Sequence, residues 1–191
     1  MKLSSIVNFL FEAAALKRLQ RTGWQILGDN KESIAEHVYL VCIISFILAE
    51  KLNANLEKVL LVALFHDLEE ARTGDVYNLA DLYTKVDKNK AVSDAFSNLP
   101  QSAKISKLLA EYGERKTLES KIVKDADTLS LCLELKQLIE KGNLNAKEWL
   151  TANIESLKLA EAKKIGREIE NSNSQNWWQK ERKKLHRMMK G

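Results

Sequence analysis

Proline and glycine are scarce in this chain of 191 residues, with one proline, Pro100, and seven glycines. Few positions can therefore break a helix or form a tight turn. No stretch alternates cleanly between apolar and polar residues, and β-branched residues rarely cluster, so the usual signals for β-strands are missing. Apolar residues instead recur at helical spacing. These patterns predict an all-α fold of about seven to nine helices.

Cysteine and long apolar runs are scarce as well. Cys42 and Cys132 each lie in an apolar helical pattern, which is typical of buried thiols in a cytosolic protein and supports neither a disulfide framework nor a cysteine-based zinc site. The longest apolar stretch, VYLVCIISFILA at 38–49, is shorter than the roughly 20 residues of a membrane span. We therefore expect a cytoplasmic protein with no membrane segment.

The N-terminal segment starts with one lysine and a short apolar stretch, which leaves a signal peptide as an alternative. Glu12 and the basic pair Lys17 and Arg18, together with the lack of a clear cleavage site, argue against that alternative. An amphipathic helix is the preferred interpretation. Its apolar positions are Ile6, Phe9, Leu10, Ala13, Leu16 and Leu19.

The chain also lacks a strong charge of either sign, because its formal net charge is only +4. That charge is compatible with an anionic substrate, whereas it makes nucleic acid an unlikely partner. The basic C-terminal stretch is predicted to form a helix over about 174–189 that packs Trp178, Leu185 and Met189 onto the domain or extends it. A short nucleic-acid tail is the alternative there.

The length suits a single domain spanning 1–191. A capping box formed by Ser33 and Glu36 predicts that a helix begins after Ser33, and Gly74 is placed to end the next helix. Residues 76–100 have weaker periodicity and predict one or two helices. The other predicted helices are 34–52, 56–73, 101–112, 117–141, 145–171 and 177–189, of which the fifth opens with a capping pattern of Asn145 and Glu148.

His66 and Asp67 end the apolar run VLLVALF within the stretch LFHDLEEARTGD. Burying either group without a partner is costly, although a lone HD pair is more often a hydrogen-bonded core feature than a functional site. Glu70 follows one turn later and can share the same side of a helix. Glu69, which we expect to be solvated, and Asp75 make this stretch dense in carboxylates.

Two other apolar helices contain residues that could complete a site with the HD pair. His37 lies near the start of one, and the acidic residues Asp125 and Asp127 lie in another. Two imidazoles and two carboxylates from three helices predict a site for a divalent transition metal, with positions open for water and substrate. Periodicity alone does not choose between the two aspartates, because both have apolar neighbours one turn away.

The order H…HD…D along the chain resembles that of the HD-domain metal-dependent phosphohydrolases. Four stretches are similar to the subgroup that contains the bacterial 5′-deoxynucleotidases, over a region from Leu16 to about Asn143. The resemblance implies an HD-domain helical bundle. The stretches are LKRLQRTGW at 16–24, ESIAEH at 32–37, HDLEEARTGD at 66–75 and KDADTL at 124–129.

Carried over by position, the resemblance implies that His37, His66, Asp67 and Asp127 are the metal ligands, and it thereby selects Asp127 over Asp125. The ion is expected to be Mn, Co, Fe, Ni or Zn rather than Mg alone, because the ligands mix nitrogen and oxygen.

The resemblance also implies roles for four residues around the metal. Glu70 corresponds to the general acid/base and Asp75 to a further acidic residue of the catalytic pocket. Arg21 corresponds to the arginine that binds the phosphate, and Trp24 to the aromatic residue that presses on the sugar. In some deoxynucleotidases the arginine and tryptophan are adjacent, whereas two residues separate them here, which bears on sugar selectivity.

The resemblance therefore predicts an enzyme that hydrolyses nucleoside 5′-monophosphates, with deoxynucleotides preferred, to nucleoside and phosphate. Its partner is expected to be a nucleotide or another small phosphate ester, and the chain is expected to form a homodimer. A phosphodiesterase or nucleoside triphosphate hydrolase on the same metal site is an alternative. A non-enzymatic helical interaction protein with a structural HD site is another.

Overall fold

A computed structural model describes residues 2–28, 32–97 and 99–190 of the chain. Over these ranges it contains twelve α-helices, and the β-type pairing there is one isolated bridge between Gln20 and Ser33, so the all-α prediction is confirmed. Nine helices have nine residues or more, in agreement with the predicted number, and three span a single turn. The helices are α1 Leu3–Ala15, α2 Trp24–Leu27, α3 Ile34–Leu52, α4 Leu56–Phe65, α5 Glu70–Thr73, α6 Asn78–Asp81, α7 Lys88–Phe96, α8 Ser102–Glu114, α9 Leu118–Glu140, α10 Ala146–Ser156, α11 Ala160–Asn171 and α12 Gln179–Met188, and a 3₁₀-helix spans Asn176–Trp178.

The longest helix, α9, lies at the centre of the fold and packs against α3, α4, α8, α10 and α11. Because it has neighbours on several sides, it carries buried residues around most of its circumference instead of one apolar stripe. Its inward side chains join those of α3 and α4 in the main hydrophobic core. The three helices that were predicted to carry the metal ligands are therefore direct neighbours.

A second, smaller core fixes the segment that follows α1. Leu16, Ile34, Leu68 and Phe96 are buried there, and the Phe96 ring lies 5.6 Å from the Phe9 ring. The apolar side of the N-terminal helix, which the sequence predicted, thus contacts α5 and α7. This packing holds the chain that leads to Arg21 against the body of the protein.

The predicted capping box at the start of α3 is confirmed. Ser33 Oγ accepts a hydrogen bond from the Glu36 N–H at 3.2 Å, and Glu36 Oε2 accepts one from the Ser33 N–H at 2.7 Å. Two backbone donors at the helix end are satisfied in this way. Since His37 follows directly, the cap also fixes the turn that carries it.

The prediction of one helix over 56–73 is wrong, because α4 ends at Phe65. The chain then tightens into turns in which the Leu68 N–H bonds to the Phe65 carbonyl at 3.2 Å, and it resumes as α5. Such i to i+3 bonds are common at helix ends. Gly74 ends α5 as predicted, with a φ of 71° that favours glycine.

The prediction of one helix over 145–171 is also wrong, because residues 157–159 separate α10 from α11. Leu157 turns into the core and is 1% exposed, and the N–H groups of Lys158 and Leu159 bond to the Asp125 carboxylate instead of continuing a helix. Asn145 precedes α10 without the predicted side-chain cap. No proline or glycine marks this break, so the sequence gives no local signal for it.

The C-terminal helix α12 leaves exposed two of the three apolar residues that were predicted to pack onto the domain. Leu185 is 51% exposed and Met189 is 84% exposed, while the Trp178 ring lies under the Arg182 guanidinium at 5.3 Å. The helix contacts mainly the 3₁₀-helix before it. Its sequence is dominated by lysine and arginine and has too few apolar residues for a core-facing stripe.

The structure bears on the predictions about membrane segments and about cysteines. In the part of the chain that the structure describes, no helix combines the length and apolar character needed to cross a membrane. Both cysteines are free, and Cys132 is fully buried whereas Cys42 is half-buried.

Candidate metal centre

The two histidines of the predicted site face each other at the centre of the fold. His37 lies in the first turn of α3 and His66 directly follows α4, and their ring centroids are 5.7 Å apart. Both side chains are 1% exposed. The Nε2 atom of each ring is buried and has no hydrogen-bond partner among the described residues. Because buried polar atoms are normally paired, two such nitrogens side by side indicate a missing ligand.

The tautomer of His66 is set by its neighbour in the preceding turn. Nδ1 lies 2.8 Å from the carbonyl oxygen of Ala63, which can only accept a hydrogen bond, so Nδ1 carries the proton. The lone pair of Nε2 is then free and directed away from the helix. Neutral imidazole in this form is a common metal ligand.

Two carboxylates approach these nitrogens. Asp127 Oδ1 lies 3.1 Å from Nε2 of His37, although without hydrogen-bond geometry. Asp67 Oδ2 lies 3.2 Å from Nε2 of His66 and 3.6 Å from Nε2 of His37. Within the described ranges, donor atoms of His37, His66 and Asp127 lie within 4.8 Å of one another. Asp67 falls outside that mutually close set but borders both rings.

Both carboxylates are held in the charged form. Burial acts to raise the pKa of Asp127, but Lys124 and the imidazole of His37 bring that pKa well below its usual range. Burial likewise opposes ionisation of Asp67, and His66 and Arg21 lower its pKa. Metal binding requires deprotonated carboxylates. Two charged oxygens beside two imidazole nitrogens therefore fit a divalent transition metal ion.

Arg21 enters the same centre from the segment between α1 and α2. Its Nη1 atom lies 3.3 Å from Asp67 Oδ2 and 3.8 Å from Asp75 Oδ1. Asp75 also binds the neighbouring residue, because its Oδ2 accepts a hydrogen bond from the Thr22 N–H at 2.5 Å and its carbonyl accepts one from Thr22 Oγ1 at 3.0 Å. Asp75 therefore anchors the segment that positions the arginine.

Glu70 is a buried acid beside the centre. It is 5% exposed, and its Oε2 atom is buried with no hydrogen-bond partner in the described part of the chain. Burial, together with the charges of Asp67 and Asp75, raises the pKa of Glu70 to about 10. The group carries a proton at neutral pH in this arrangement, so it can donate one to a leaving group.

Trp24 borders the same space but is itself deeply buried, with 2% of its surface exposed. Its indole Nε1 donates a hydrogen bond to Glu32 Oε2 at 2.9 Å. The ring nevertheless lines the cavity next to Arg21. The edge of the indole is thus engaged by the protein, while another part of the ring faces the cavity.

A cavity of about 1060 Å³ opens onto the centre. Its floor contains His66, Asp67 and Asp127, and one end reaches Trp149 and Asn153 on α10. Its volume is at the upper end of the roughly 300–1,000 Å³ typical of small-molecule sites. A nucleotide-sized ligand can therefore reach His66 and the two carboxylates.

The structure adds residues that the sequence did not indicate. Lys124 Nζ lies 2.7 Å from Asp127 Oδ2, one helical turn away on α9. The Tyr112 ring meets the His66 ring edge-on at a centroid distance of 5.9 Å. Glu69, expected to be solvated, is 5% exposed and lines the cavity. The spacing of Lys124 three residues before Asp127 could have predicted their contact from the sequence. Tyr112, in contrast, comes from a distant part of the chain.

Comparison with known proteins agrees with this geometry. A model of the HD domain family matches residues 13–171. The chain is 32% identical to a protein of Schizosaccharomyces pombe named 5′-deoxynucleotidase hdd1, over 74% of this chain and 76% of that protein.

Two solved structures share the fold. One is a protein of Pyrococcus horikoshii, which is 34% identical with a TM-score of 0.71, over 86% of this chain and 96% of that one. The other is described as a predicted metal-dependent phosphohydrolase from Magnetospirillum magnetotacticum, which is 25% identical with a TM-score of 0.65, over 88% of this chain and 89% of that one. The family model covers most of the chain, and the chain belongs to the HD domain family.

Proposed function

We propose that this protein is a metal-dependent phosphohydrolase that converts deoxynucleoside 5′-monophosphates to nucleosides and phosphate. The observation that carries the proposal is the pair of buried imidazole nitrogens that have no hydrogen-bond partner among the described residues, beside two ionised carboxylates that line an open cavity. The relatives named 5′-deoxynucleotidase support the substrate class.

His37, His66, Asp67 and Asp127 hold the divalent ion. Such an ion supplies Lewis-acid charge to the phosphoryl group and lowers the pKa of water that reaches the centre. The mixed nitrogen and oxygen donors favour Mn, Co, Fe, Ni or Zn over Mg alone. Lys124 keeps Asp127 ionised and limits its movement through their contact of 2.7 Å.

Arg21 binds the phosphate of the substrate. Its guanidinium lies among carboxylates, and a phosphate can replace part of that contact with a bidentate pair of hydrogen bonds. Asp75 keeps the arginine segment in place by bonding Thr22. The ring of Trp24 forms the adjoining wall, against which the sugar rests.

Glu70 donates its proton to the 5′ oxygen as the phosphorus–oxygen bond breaks, and the carboxylate formed in this way takes up the proton that the attacking water releases. Its burial beside Asp67 and Asp75 raises its pKa and keeps the proton available near neutral pH. A positioned acid of this kind contributes roughly 10²- to 10⁴-fold to rate.

We also propose that the protein is a homodimer that forms through an apolar stripe on α3. The stripe consists of Tyr39, Ile43, Phe46 and Ile47, each at least 41% exposed. Their spacing places them on one side of the helix, and no charged residue occurs in 38–49. A second copy presents the same uncharged stripe and can pair with it about a two-fold axis.

The experiment that tests the proposed function measures phosphate release from a panel of phosphate esters. The panel contains deoxynucleoside and ribonucleoside 5′-monophosphates, a 3′-monophosphate, a deoxynucleoside triphosphate and a phosphodiester. The deoxynucleoside 5′-monophosphates should react fastest, and a chelator should abolish the reaction until Mn²⁺ or Co²⁺ is restored. Preference for the triphosphate or the diester would contradict the proposed substrate, and full activity in chelator would contradict the metal.

A further inference from the structure

Glu32 is a buried carboxylate that the proposed reaction does not use. It lies just before α3 and is 9% exposed. Its Oε1 atom is 4.0 Å from Nδ1 of His37, whereas Nε2 of the same ring faces Asp67 and Asp127. Burying a carboxylate is costly unless it has a favourable partner. Glu32 therefore lies behind a histidine of the metal centre at a cost that its contacts must offset.

Two contacts hold Glu32 in this place. The Trp24 indole N–H donates to Oε2 at 2.9 Å in a fully buried hydrogen bond. The Glu32 carbonyl accepts a hydrogen bond from the Arg21 N–H at 2.9 Å. Burial raises the pKa of Glu32 above its usual range, and His37 and the indole N–H offset only part of that effect. The residue therefore ties the segment 21–24 to the beginning of α3.

The Nδ1 atom of His37 is the atom of the ring on which this carboxylate can act. An imidazole that binds a metal through Nε2 carries its proton on Nδ1. Here Nδ1 lies 3.3 Å from Ser130 Oγ, which can accept that proton's hydrogen bond. Glu32 places a carboxylate on the same side, with its Oε1 atom 4.0 Å from Nδ1. Carboxylates behind a metal-bound histidine orient the ring and strengthen its donor nitrogen.

We infer that Glu32 is a positioning residue of the metal centre, held by Trp24, that fixes His37 with its Nδ1 proton toward Ser130 and increases the affinity of Nε2 for the ion. The inference rests on the proposed metal centre. It gives the ESIAEH stretch a physical role beyond that of its histidine. It also gives the Trp24 indole edge a role that is separate from any contact of its ring with substrate.

The test measures Co²⁺ binding to the full-length chain after chelator treatment, by equilibrium dialysis and by the visible absorption of the bound ion. Glu32→Gln keeps the shape of the side chain and removes its charge. We expect it to weaken Co²⁺ binding by about 10- to 100-fold and to alter the absorption spectrum. Asp125→Asn is the matched control, because it neutralises another buried carboxylate that bonds only to the α11 turn; it should leave both readouts unchanged.

The role of Trp24 is tested in the same assay. Trp24→Phe removes the indole N–H and retains a ring, so it should weaken Co²⁺ binding less than Glu32→Gln does. Because the indole acts through the carboxylate, the double variant should bind no more weakly than Glu32→Gln alone. Additive losses would overturn the assigned role of Trp24.

Three outcomes would overturn this inference without contradicting the proposed function. Wild-type affinity in Glu32→Gln would overturn the inference, and so would an equal loss in Asp125→Asn, which would indicate general loosening. A loss in Ser130→Ala without one in Glu32→Gln would assign the Nδ1 contact to the serine alone and would also overturn it. Failure of the wild-type protein to bind Co²⁺ would instead contradict the proposed metal centre.

Discussion

Substitution of Glu70 can distinguish a role in metal binding from a role in proton transfer. It is buried next to the centre, but four other residues already provide two imidazoles and two carboxylates. The Glu70→Ala variant should therefore retain its metal. Its turnover should fall by about 10²-fold or more, the usual scale for a positioned acid or base, with little change in Michaelis constant because the residue acts in the transition state.

The measurement is steady-state phosphate release together with metal content of the same preparation. Near-normal turnover in Glu70→Ala would show that Asp75 or the substrate moves the proton. Loss of the metal would make Glu70 a ligand. Glu70→Gln, which keeps the size of the side chain, controls for a simple packing defect.

Single residues also show how far the sequence could predict the site. The histidines and the HD pair are recognisable from polar groups in apolar helices, and the structure brings them together. Asp125 and Asp127 have similar apolar neighbours, so only the family resemblance separated them. The two aspartates differ in the direction of their side chains. Asp127 points to His37, whereas Asp125 points to the turn before α11. Tyr112 reaches His66 through tertiary packing that local spacing does not encode.

The helix pair α10 and α11 depends on a carboxylate of a third helix. Asp125, 2% exposed, accepts hydrogen bonds from the N–H groups of Lys158 and Leu159 at 2.7–3.1 Å. Asp125→Asn leaves one acceptor oxygen and points an amide group at a backbone donor. We expect it to lower the free energy of unfolding by about 1–3 kcal/mol, the scale for a buried group without its partner.

Chemical denaturation of the metal-free protein measures this effect. Ser156→Ala is a suitable comparison, because its exposed hydroxyl bonds only within α10 and its loss should change stability little. Equal stability of Asp125→Asn and the wild type would contradict the role of the carboxylate in joining the two helices.

Local sequence patterns specify some helix ends but not others. The start of α3 was predictable because Ser33 and Glu36 cap it, and the end of α5 was predictable because Gly74 takes a left-handed φ. The breaks after Phe65 and at Leu157 lie in continuous apolar periodicity. Each is set by tertiary contacts, with the His66–Asp67 turn closing on the metal centre and Leu157 entering the core.

At the scale of the whole molecule, the uncharged stripe on α3 predicts a dimer. Phe46→Glu places a charge within the proposed contact, where an unpaired buried charge is costly. We expect the wild type to sediment as a dimer at micromolar concentration and Phe46→Glu to sediment as a monomer. Leu185→Glu, which changes an exposed apolar residue on α12, should leave the dimer intact.

Two results would contradict this assembly. A wild-type monomer at micromolar concentration would argue against any stable dimer. A Phe46→Glu protein that remains dimeric would place the contact on another surface. Circular dichroism of each variant provides the control for folding.

Metal content is the most direct test of the proposed metal centre. Wild type and His66→Ala are stripped with chelator, reconstituted with Mn²⁺ or Co²⁺, desalted and measured by elemental analysis, with circular dichroism as the control for fold. His66 provides one of the two buried imidazole nitrogens that have no hydrogen-bond partner among the described residues, so its removal leaves too few donors for tight binding. We expect stoichiometric metal in the wild type and none in His66→Ala, with unchanged helix content, as the proposed metal centre requires. Stoichiometric metal in His66→Ala would contradict it.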